Sequence, residues 1–140
     1  DEQTRQAIAR PLSMIASDGF IEEGQGHPRT SGSFSKVLGK YVREEHALTL
    51  VQALERMTIM PARRLERRVP SMSSKGRVKV GADADFAVFD PATVIDRATY
   101  EDASIPSAGM PDVIVGGAVV VDGGRVTSVR PGRGIRAPLM

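Results

Sequence analysis

The chain has 140 residues, 41% of them hydrophobic, and its 19 basic and 17 acidic side chains leave a formal net charge of +2. The near balance of charge and the aromatic content of 4%, with no Trp, argue against nucleic-acid binding. No apolar stretch approaches the ~18 residues of a membrane span. The absence of cysteine excludes disulfides and thiolate metal sites and fits a reducing compartment, so we expect a cytoplasmic protein.

The first third of the chain has the rhythm of an α/β protein. Residues 2–10 are good helix formers that end at Pro11, and an apolar run at 12–16, "LSMIA", is a strand candidate that ends at Ser17-Asp18-Gly19. Residues 19–33 are rich in Gly and polar groups and predict a long loop, which in a compact domain is usually functional or disordered. The chain opens on Asp1 inside a charged helical pattern, so we expect a piece of a longer protein.

Three helices are expected next. Apolar residues recur at helical spacing from Phe34 to about residue 45, with Ser33 as a plausible N-cap. A second helix over about 50–59 begins with a capping box, Thr49 and Gln52. Pro61 fits the first position of a third, short helix.

From about residue 69 the pattern becomes that of a β protein. Short β-branched runs at 77–80, 85–89, 112–115, 118–121 and 125–129 predict strands, and Gly116-Gly117 predicts a two-residue hairpin turn. Residues 91–111 form a long excursion between strands. We therefore place a domain boundary between 1–68, which is α/β, and 69–140, which is all β.

The residues with chemical potential have ordinary interpretations as well. An Asp between Ser and Gly is usually a turn residue, and residue-level chemistry alone favours that interpretation for Asp18. His27 and Arg29 lie in a Gly-flanked loop, where a solvated role is the ordinary one. The basic run at Arg63, Arg64, Arg67 and Arg68 is expected to be a solvated face, and His46 is given no chemistry.

Five segments together resemble the C-terminal part of amidohydrolase-superfamily enzymes: "SDG" (17–19), "HPR" (27–29), "TIMPARRL" (58–65), "KGRVKVGADADFAVFD" (75–90) and "DVIVGGAVVVDGGRV" (112–126). The combination of "SDG", "HPR" and "VLGKYVRE" is most similar to N-acyl-D-amino-acid deacylases, the D-aminoacylases. The strand with Asp83 and Asp85 is shared by many amidohydrolases, and the family uses that element structurally.

The resemblance implies a fold and a site. The fold would be α/β plus β: the last strand and helices of a (β/α)₈ barrel at 1–68, joined to part of a small β-sandwich at 69–140. In the family, a metal-bound hydroxide attacks the acyl carbonyl. Asp18, at the end of the last barrel strand, would lie beside zinc as a ligand and act as base and then acid. Arg29 would hold the substrate α-carboxylate, and His27 would order the loop or contact the substrate.

Zinc is expected in the full-length enzyme rather than in this chain alone, because the remaining ligands would lie upstream. The expected partner is a small N-acyl amino acid. For the isolated fragment, self-association is expected, because the apolar run at 12–16 and the helix at 34–45 would be exposed. One alternative is a dihydroorotase-like cyclic amide hydrolase. An alternative of another class is a non-catalytic β-rich interaction module over residues 70–140.

Overall fold

The computed structural model describes residues 2–23 and 25–138, and the chain divides into two compact units. The first unit combines the residues up to Met57 with Asp90–Gly109, and the second combines Thr58–Phe89 with the residues from Met110 onward. The predicted division at residue 69 concerned the domains of the longer family protein and stays a prediction. Among the described residues, no helix is both long enough and apolar enough to cross a lipid bilayer.

The first unit is mainly helical. Its elements are α1 (Glu2–Ala9), a two-stranded hairpin of β1 (Ile21–Glu22) and β2 (Gln25–Gly26), α2 (Arg29–Lys36), a π-helical segment (Val37–Glu44) and α3 (Leu50–Met57). Its core holds Ile8, Val37, Leu38, Tyr41, Leu48, Ala53, Val94 and Ala103. Two of these core residues, Val94 and Ala103, come from the 90–109 segment, so the excursion predicted from sequence is an integral part of this unit.

The predicted second helix is confirmed together with its cap. The Gln52 N–H donates to Thr49 Oγ1 at 3.2 Å, and the Thr49 N–H donates to Gln52 Oε1 at 2.9 Å. The predicted start of the preceding helix at Ser33 is wrong. α2 begins at Arg29, and the Ser33 hydroxyl donates to the Arg29 carbonyl at 2.8 Å, inside the helix. Ser33 bonds backward along the helix because its hydroxyl lies within reach of the carbonyl four residues earlier.

Residues 12–16 do not form the predicted strand. The segment is extended, and its Ile15 N–H donates to the Arg56 carbonyl at 3.1 Å, at the end of α3. An extended segment becomes a strand only when another strand continues its ladder of hydrogen bonds. Within residues 2–23 and 25–138 no strand pairs with this segment, and the Leu12 side chain is exposed.

The second unit contains α4 (Ile59–Glu66), a 3₁₀ turn (Pro70–Ser74) and one antiparallel sheet. The sheet strands are β3 (Phe86–Val88), β4 (Asp112–Val115), β5 (Ala118–Asp122) and β6 (Arg125–Val126), and each pairs with the next in chain order. The predicted hairpin at Gly116-Gly117 is confirmed. Both glycines have positive φ, 56° and 81°, which the tight turn between β4 and β5 requires.

Three details of this half differ from the prediction. Residues 77–80 form no strand, because no described strand continues a ladder of backbone hydrogen bonds beside them. The side chains of Val78 and Val80 are exposed. The last strand is shorter than predicted and covers Arg125–Val126 rather than 125–129. α4 begins at Ile59, so Pro61 occupies its third position, where the missing N–H still costs no intrahelical bond.

Candidate active site

Asp18 lies at the end of the extended segment that follows α1. Its φ is +44°, in the left-handed region that few residues other than glycine adopt, and its side chain is 93% exposed. The next residue, Gly19, packs closely on the start of α2, where a Cβ would lie 2.2 Å from Thr30 Oγ1. The Thr30 hydroxyl donates to the Phe20 carbonyl at 3.3 Å. The turn after Asp18 is therefore fastened to the first turn of α2.

Arg29 is the first residue of α2, and its side chain meets that of Asp18. One guanidinium nitrogen, Nη2, lies 3.7 Å from Asp18 Oδ2. The two residues that the sequence singled out eleven positions apart are thus brought together. An exposed ion pair of this kind stabilises a fold by about 0–1 kcal/mol, so the contact matters for orientation rather than stability. A guanidinium has five N–H donors, which leaves others for a second carboxylate.

His27 acts on Arg29 through the backbone. Its Nδ1 accepts a hydrogen bond from the Arg29 N–H at 3.1 Å. The first four N–H groups of a helix lack intrahelical acceptors, and the imidazole of His27 is the acceptor for the first of them, that of Arg29. On its other side, His27 Nε2 lies 3.2 Å from the Tyr100 hydroxyl, and the two rings meet edge to face at 5.1 Å. These contacts place His27 between the Arg29 backbone and Tyr100, and both predicted roles, ordering the loop and contacting the substrate, stay predictions.

A cavity of about 250 Å³ opens beside Arg29. Its charged and aromatic lining consists of His27, Arg29, Lys36, Asp96, Tyr100 and Glu101. Lys36 Nζ lies 4.0 Å from Asp96 Oδ2, so these two charges face one another within the wall. The pKa of the Glu101 carboxyl is lowered because its own backbone N–H and the Thr99 hydroxyl donate to it. The cavity wall thus carries cations and anions close to one another.

The predicted metal ligand Asp18 has no companions in the described part of the chain. Within residues 2–23 and 25–138, no group of three or more His, Asp or Glu side chains is placed so as to hold a metal ion. These residues alone do not fit a metal centre. Asp18 is an exposed carboxyl group whose charged neighbour is Arg29.

The other charged residues singled out from the sequence make local contacts or are exposed. Lys75 binds both Asp83, at 3.0 Å, and Asp85, and the Gly116 N–H donates to Asp85 Oδ1 at 2.7 Å. Asp85 therefore contacts the β4–β5 turn, whereas Asp83 is held by Ser74 and Lys75 before the sheet begins; both contacts are structural, as the family resemblance implied. His46 Nδ1 lies 3.1 Å from the Val42 carbonyl, at the end of the π-helical segment. The arginines at 63, 64, 67 and 68 are exposed, again as predicted.

Sequence reasoning missed two residues, Tyr100 at the site and Arg56 at the end of α1. Tyr100 lies in the excursion, where periodicity gives no signal, although an aromatic in a polar loop is itself unusual. Arg56 was assigned no role, yet it is only 5% exposed and donates to the carbonyls of Ile8, Ala9 and Arg10 at the end of α1. A single buried arginine on an amphipathic helix has no signature in the sequence.

Comparison with known proteins decides the family. A model described as the amidohydrolase family matches residues 3–121. The chain belongs to the amidohydrolase family. It is 42% identical to an N-acyl-D-glutamate deacylase from Alcaligenes xylosoxydans xylosoxydans, a match that covers 97% of this chain and 27% of that protein. It is 38% identical to a D-aminoacylase from the same organism, with 95% and 26% covered.

Solved structures agree with this assignment. N-acyl-D-glutamate deacylase from Bordetella bronchiseptica, solved with zinc and a phosphonate that mimics the tetrahedral intermediate, matches with a TM-score of 0.82 and 40% identity over 97% of this chain and 27% of that one. A D-aminoacylase studied for its binuclear metal centre matches with a TM-score of 0.83 and 36% identity over 92% and 26%. The chain spans about a quarter of the length of these relatives. The resemblance to D-aminoacylases inferred from sequence is confirmed, as is a fold that mixes helix and sheet.

Proposed function

We propose that this chain is the C-terminal part of an enzyme that hydrolyses the amide bond of N-acyl-D-amino acids to a carboxylate and a D-amino acid. The observation that carries the proposal is the contact between Asp18 and Arg29, at 3.7 Å, in a chain 42% identical to a deacylase of this kind. In this pair, Asp18 offers a carboxylate that can move a proton. Arg29 offers a cation that can bind an anionic substrate beside that carboxylate.

Asp18 is the proton-carrying group in this proposal. Hydrolysis of an amide takes a proton from the attacking water and delivers one to the departing nitrogen. A carboxylate with 93% of its side chain exposed can reach both positions without displacing a packed neighbour. Its left-handed backbone conformation is of the kind that surrounding contacts impose at functional sites.

Arg29 is the group that binds the substrate α-carboxylate. Guanidinium and carboxylate pair through two parallel hydrogen bonds, which fixes the orientation of the attached carbon and so selects one stereoisomer. In the free protein Arg29 meets the Asp18 carboxylate. A bound substrate carboxylate would take over donors of the same guanidinium and thereby bring the substrate beside Asp18.

Zinc and the larger architecture belong to the proposal for the longer protein. The described residues do not form a metal centre by themselves. We therefore place the zinc ligands other than Asp18 outside this chain, and the zinc would supply Lewis acidity for the attack by water. The first unit would complete a (β/α)₈ barrel and the sheet of the second unit would form part of a β-sandwich, each together with chain that lies outside these 140 residues.

A chimera tests the function directly. Residues 1–140 replace the matching quarter of the Alcaligenes N-acyl-D-glutamate deacylase, and release of D-amino acid from N-acyl-D-glutamate is measured. Asp18→Asn should lower kcat by about 10²- to 10⁴-fold. Arg29→Lys should mainly raise KM, because an ammonium cannot pair bidentately.

The control is Asp122→Asn, which makes the same change at an exposed position of β5. An Asp18→Asn enzyme that matches this control in kcat would refute the role of Asp18. A chimera that cleaves a cyclic amide and no N-acyl-D-amino acid would instead support the dihydroorotase-like alternative.

Self-association of the isolated chain is part of the same proposal. Of the two segments expected to be exposed, 12–16 exposes Leu12 at 87%. The expected exposure of the 34–45 helix is wrong, because its apolar residues Val37, Leu38 and Tyr41 are buried in the core of the first unit; Phe20 is a further exposed side chain, at 75%. Soluble monomers rarely expose such side chains in continuous patches. Light scattering on the 140-residue chain should give a mass above 15.0 kDa, and a monodisperse monomer would contradict the expectation.

A further inference from the structure

The 90–109 excursion is fastened to the first turn of α2. The Ser31 hydroxyl donates to the Ala103 carbonyl at 2.7 Å, and the Ser107 hydroxyl donates to the Ser31 carbonyl at 3.1 Å. The backbone also approaches closely at Gly32, where a Cβ would lie 2.9 Å from the Asp96 Cβ. These contacts fall on the residues directly after Arg29. The excursion therefore borders the candidate site rather than forming an unrelated loop.

The excursion is itself held in one shape. The Asp90 N–H donates to the Gly109 carbonyl at 3.0 Å, which closes its ends. Gly109 has a φ of +73°, and a Cβ there would lie 2.4 Å from the Val94 nitrogen. The Arg43 guanidinium donates to the Val94 carbonyl at 2.6 Å, and the Val94 side chain is fully buried. A segment fixed in this way can hold another group in place.

Tyr100 is where the excursion meets the "HPR" turn. Its side chain is not part of the core, since the residue is 73% exposed. Yet its hydroxyl lies 3.2 Å from His27 Nε2, and its ring meets the imidazole edge to face. His27 in turn accepts from the Arg29 N–H through Nδ1. A continuous path of contacts thus runs from the excursion to the backbone of Arg29.

The hydrogen bonds fix the direction of this path. Because Nδ1 accepts from a backbone N–H, it carries no proton, and the neutral ring must hold its proton on Nε2. That Nε2–H donates to the Tyr100 oxygen. Tyr100 is therefore the acceptor that holds the imidazole in the tautomer and orientation that Arg29 needs.

We propose that Tyr100 is a positioning residue for Arg29 and acts through His27. The proposal rests on the proposed function in one respect, the role of Arg29 as the group that binds the α-carboxylate. Tyr100 itself need not touch substrate. It restricts the turn that carries Arg29, so that the guanidinium is oriented before substrate binds.

The tautomers of the two histidines test the contact without any activity assay. The chain has two His residues. His27 should have an unprotonated Nδ1, whereas His46 should have a protonated Nδ1, because that atom faces the Val42 carbonyl, which can only accept. NMR of the ¹⁵N-histidine-labelled chain at alkaline pH, where imidazole is neutral, distinguishes the two forms. Tyr100→Phe should shift the His27 Nε2 resonance and leave His46 unchanged, and Tyr41→Phe should shift neither.

Kinetics of the deacylase chimera test the role. Tyr100→Phe should raise KM for N-acyl-D-glutamate about threefold, the effect of one neutral hydrogen bond, with little change in kcat. His27→Leu should raise KM further, and Tyr100→Phe should have no added effect in that background. His27→Asn should restore most of the loss, since an Asn oxygen can accept from the N–H two residues on.

Several outcomes would contradict the proposed role of Tyr100. A His27 ring with its proton on Nδ1, random-coil histidine signals, or a Tyr100→Phe variant with unchanged KM would overturn the proposal. So would equal effects of Tyr100→Phe with and without His27. A parent chimera with no deacylase activity would refute the proposed function instead, and the NMR result would still decide the contact.

Discussion

Arg56 joins three parts of the first unit, and its replacement by Met should weaken that unit strongly. The residue is 5% exposed, and its guanidinium donates to the carbonyls of Ile8, Ala9 and Arg10. α1 has no basic side chain in its own last turn, so Arg56 supplies the cation that a helix C-terminus favours. Its carbonyl also accepts the Ile15 N–H and so fixes the segment that leads to Asp18.

The cost follows from what each carbonyl loses in Arg56→Met. The bond to the Ile8 carbonyl is buried, so water cannot replace the guanidinium there, and an unsatisfied buried group costs about 1–3 kcal/mol. The bonds to the Ala9 and Arg10 carbonyls are only part-buried, so water can reach these carbonyls and they lose mainly the helix-end charge interaction, about 0.3–1 kcal/mol. Met preserves most of the apolar stem. The free energy of unfolding of the first unit should fall by about 2–3 kcal/mol.

Urea unfolding followed by far-UV circular dichroism measures this loss, since the chain has no Trp to report by fluorescence. Arg97→Met is the matched control, because it makes the same change at an exposed position of the same unit. Amide exchange at Ile15 adds a second measurement: its acceptor is the main-chain carbonyl of residue 56, which Met retains, so it should lose protection only as far as the unit as a whole is destabilised. If the two variants unfold at the same urea concentration, the reasoning about the buried guanidinium is refuted.

Three further predictions concern single contacts. Gly19→Ala would place a methyl 2.2 Å from Thr30 Oγ1, so it should cost about 1–3 kcal/mol in urea unfolding and separate Asp18 from Arg29; Gly132→Ala, in open space, is the control. Thr49→Ala removes the cap of α3 and should cost about 1 kcal/mol, which circular dichroism would detect as lower stability. The pKa of the Asp85 carboxyl is lowered, first by Lys75 and then by the Gly116 N–H. Asp85 therefore stabilises the fold at pH values above its ordinary pKa of about 3.9, and this stabilisation is lost as the pH falls through the pKa of the folded state. Asp85→Asn should therefore be less stable than the parent chain at pH 6, and this difference should shrink at pH 3; a constant difference would contradict the assignment.

Features with a local cause could be predicted from the sequence. The Thr49–Gln52 box and the Gly116-Gly117 turn each depend on atoms within a few residues, and both are present as predicted. The predicted start of α2 was wrong because the actual start lacks a common sequence pattern. Ser33 has the chemistry of an N-cap, but the helix begins four residues earlier, at Arg29. There the acceptor is a ring nitrogen of His27, a role that follows no common sequence pattern.

Features that depend on distant partners could not be predicted. Residues 12–16 have the composition of a buried strand, but a strand exists only with a paired neighbour, and the described residues place none beside them. The family resemblance placed Asp18 and Arg29 in one site, but it did not predict that their side chains form an ion pair. The contacts of Tyr100 with His27 and of Arg56 with α1 span 73 and 46–48 positions, beyond any periodicity.

The order in which the ribosome delivers these residues places a constraint on folding. The hydroxyl of Ser31 bonds a carbonyl 72 positions later, at Ala103. At synthesis rates of about 5–20 residues per second, the first turn of α2 waits between about 4 and 15 seconds for this partner. Val94 and Ala103, both buried in the first unit, arrive in the same late interval. The helical part of the second unit, including α4 at Ile59–Glu66, is therefore synthesised before the last core residues of the first unit. The turn that carries Arg29 is thus one of the last parts of its unit to acquire its final surroundings.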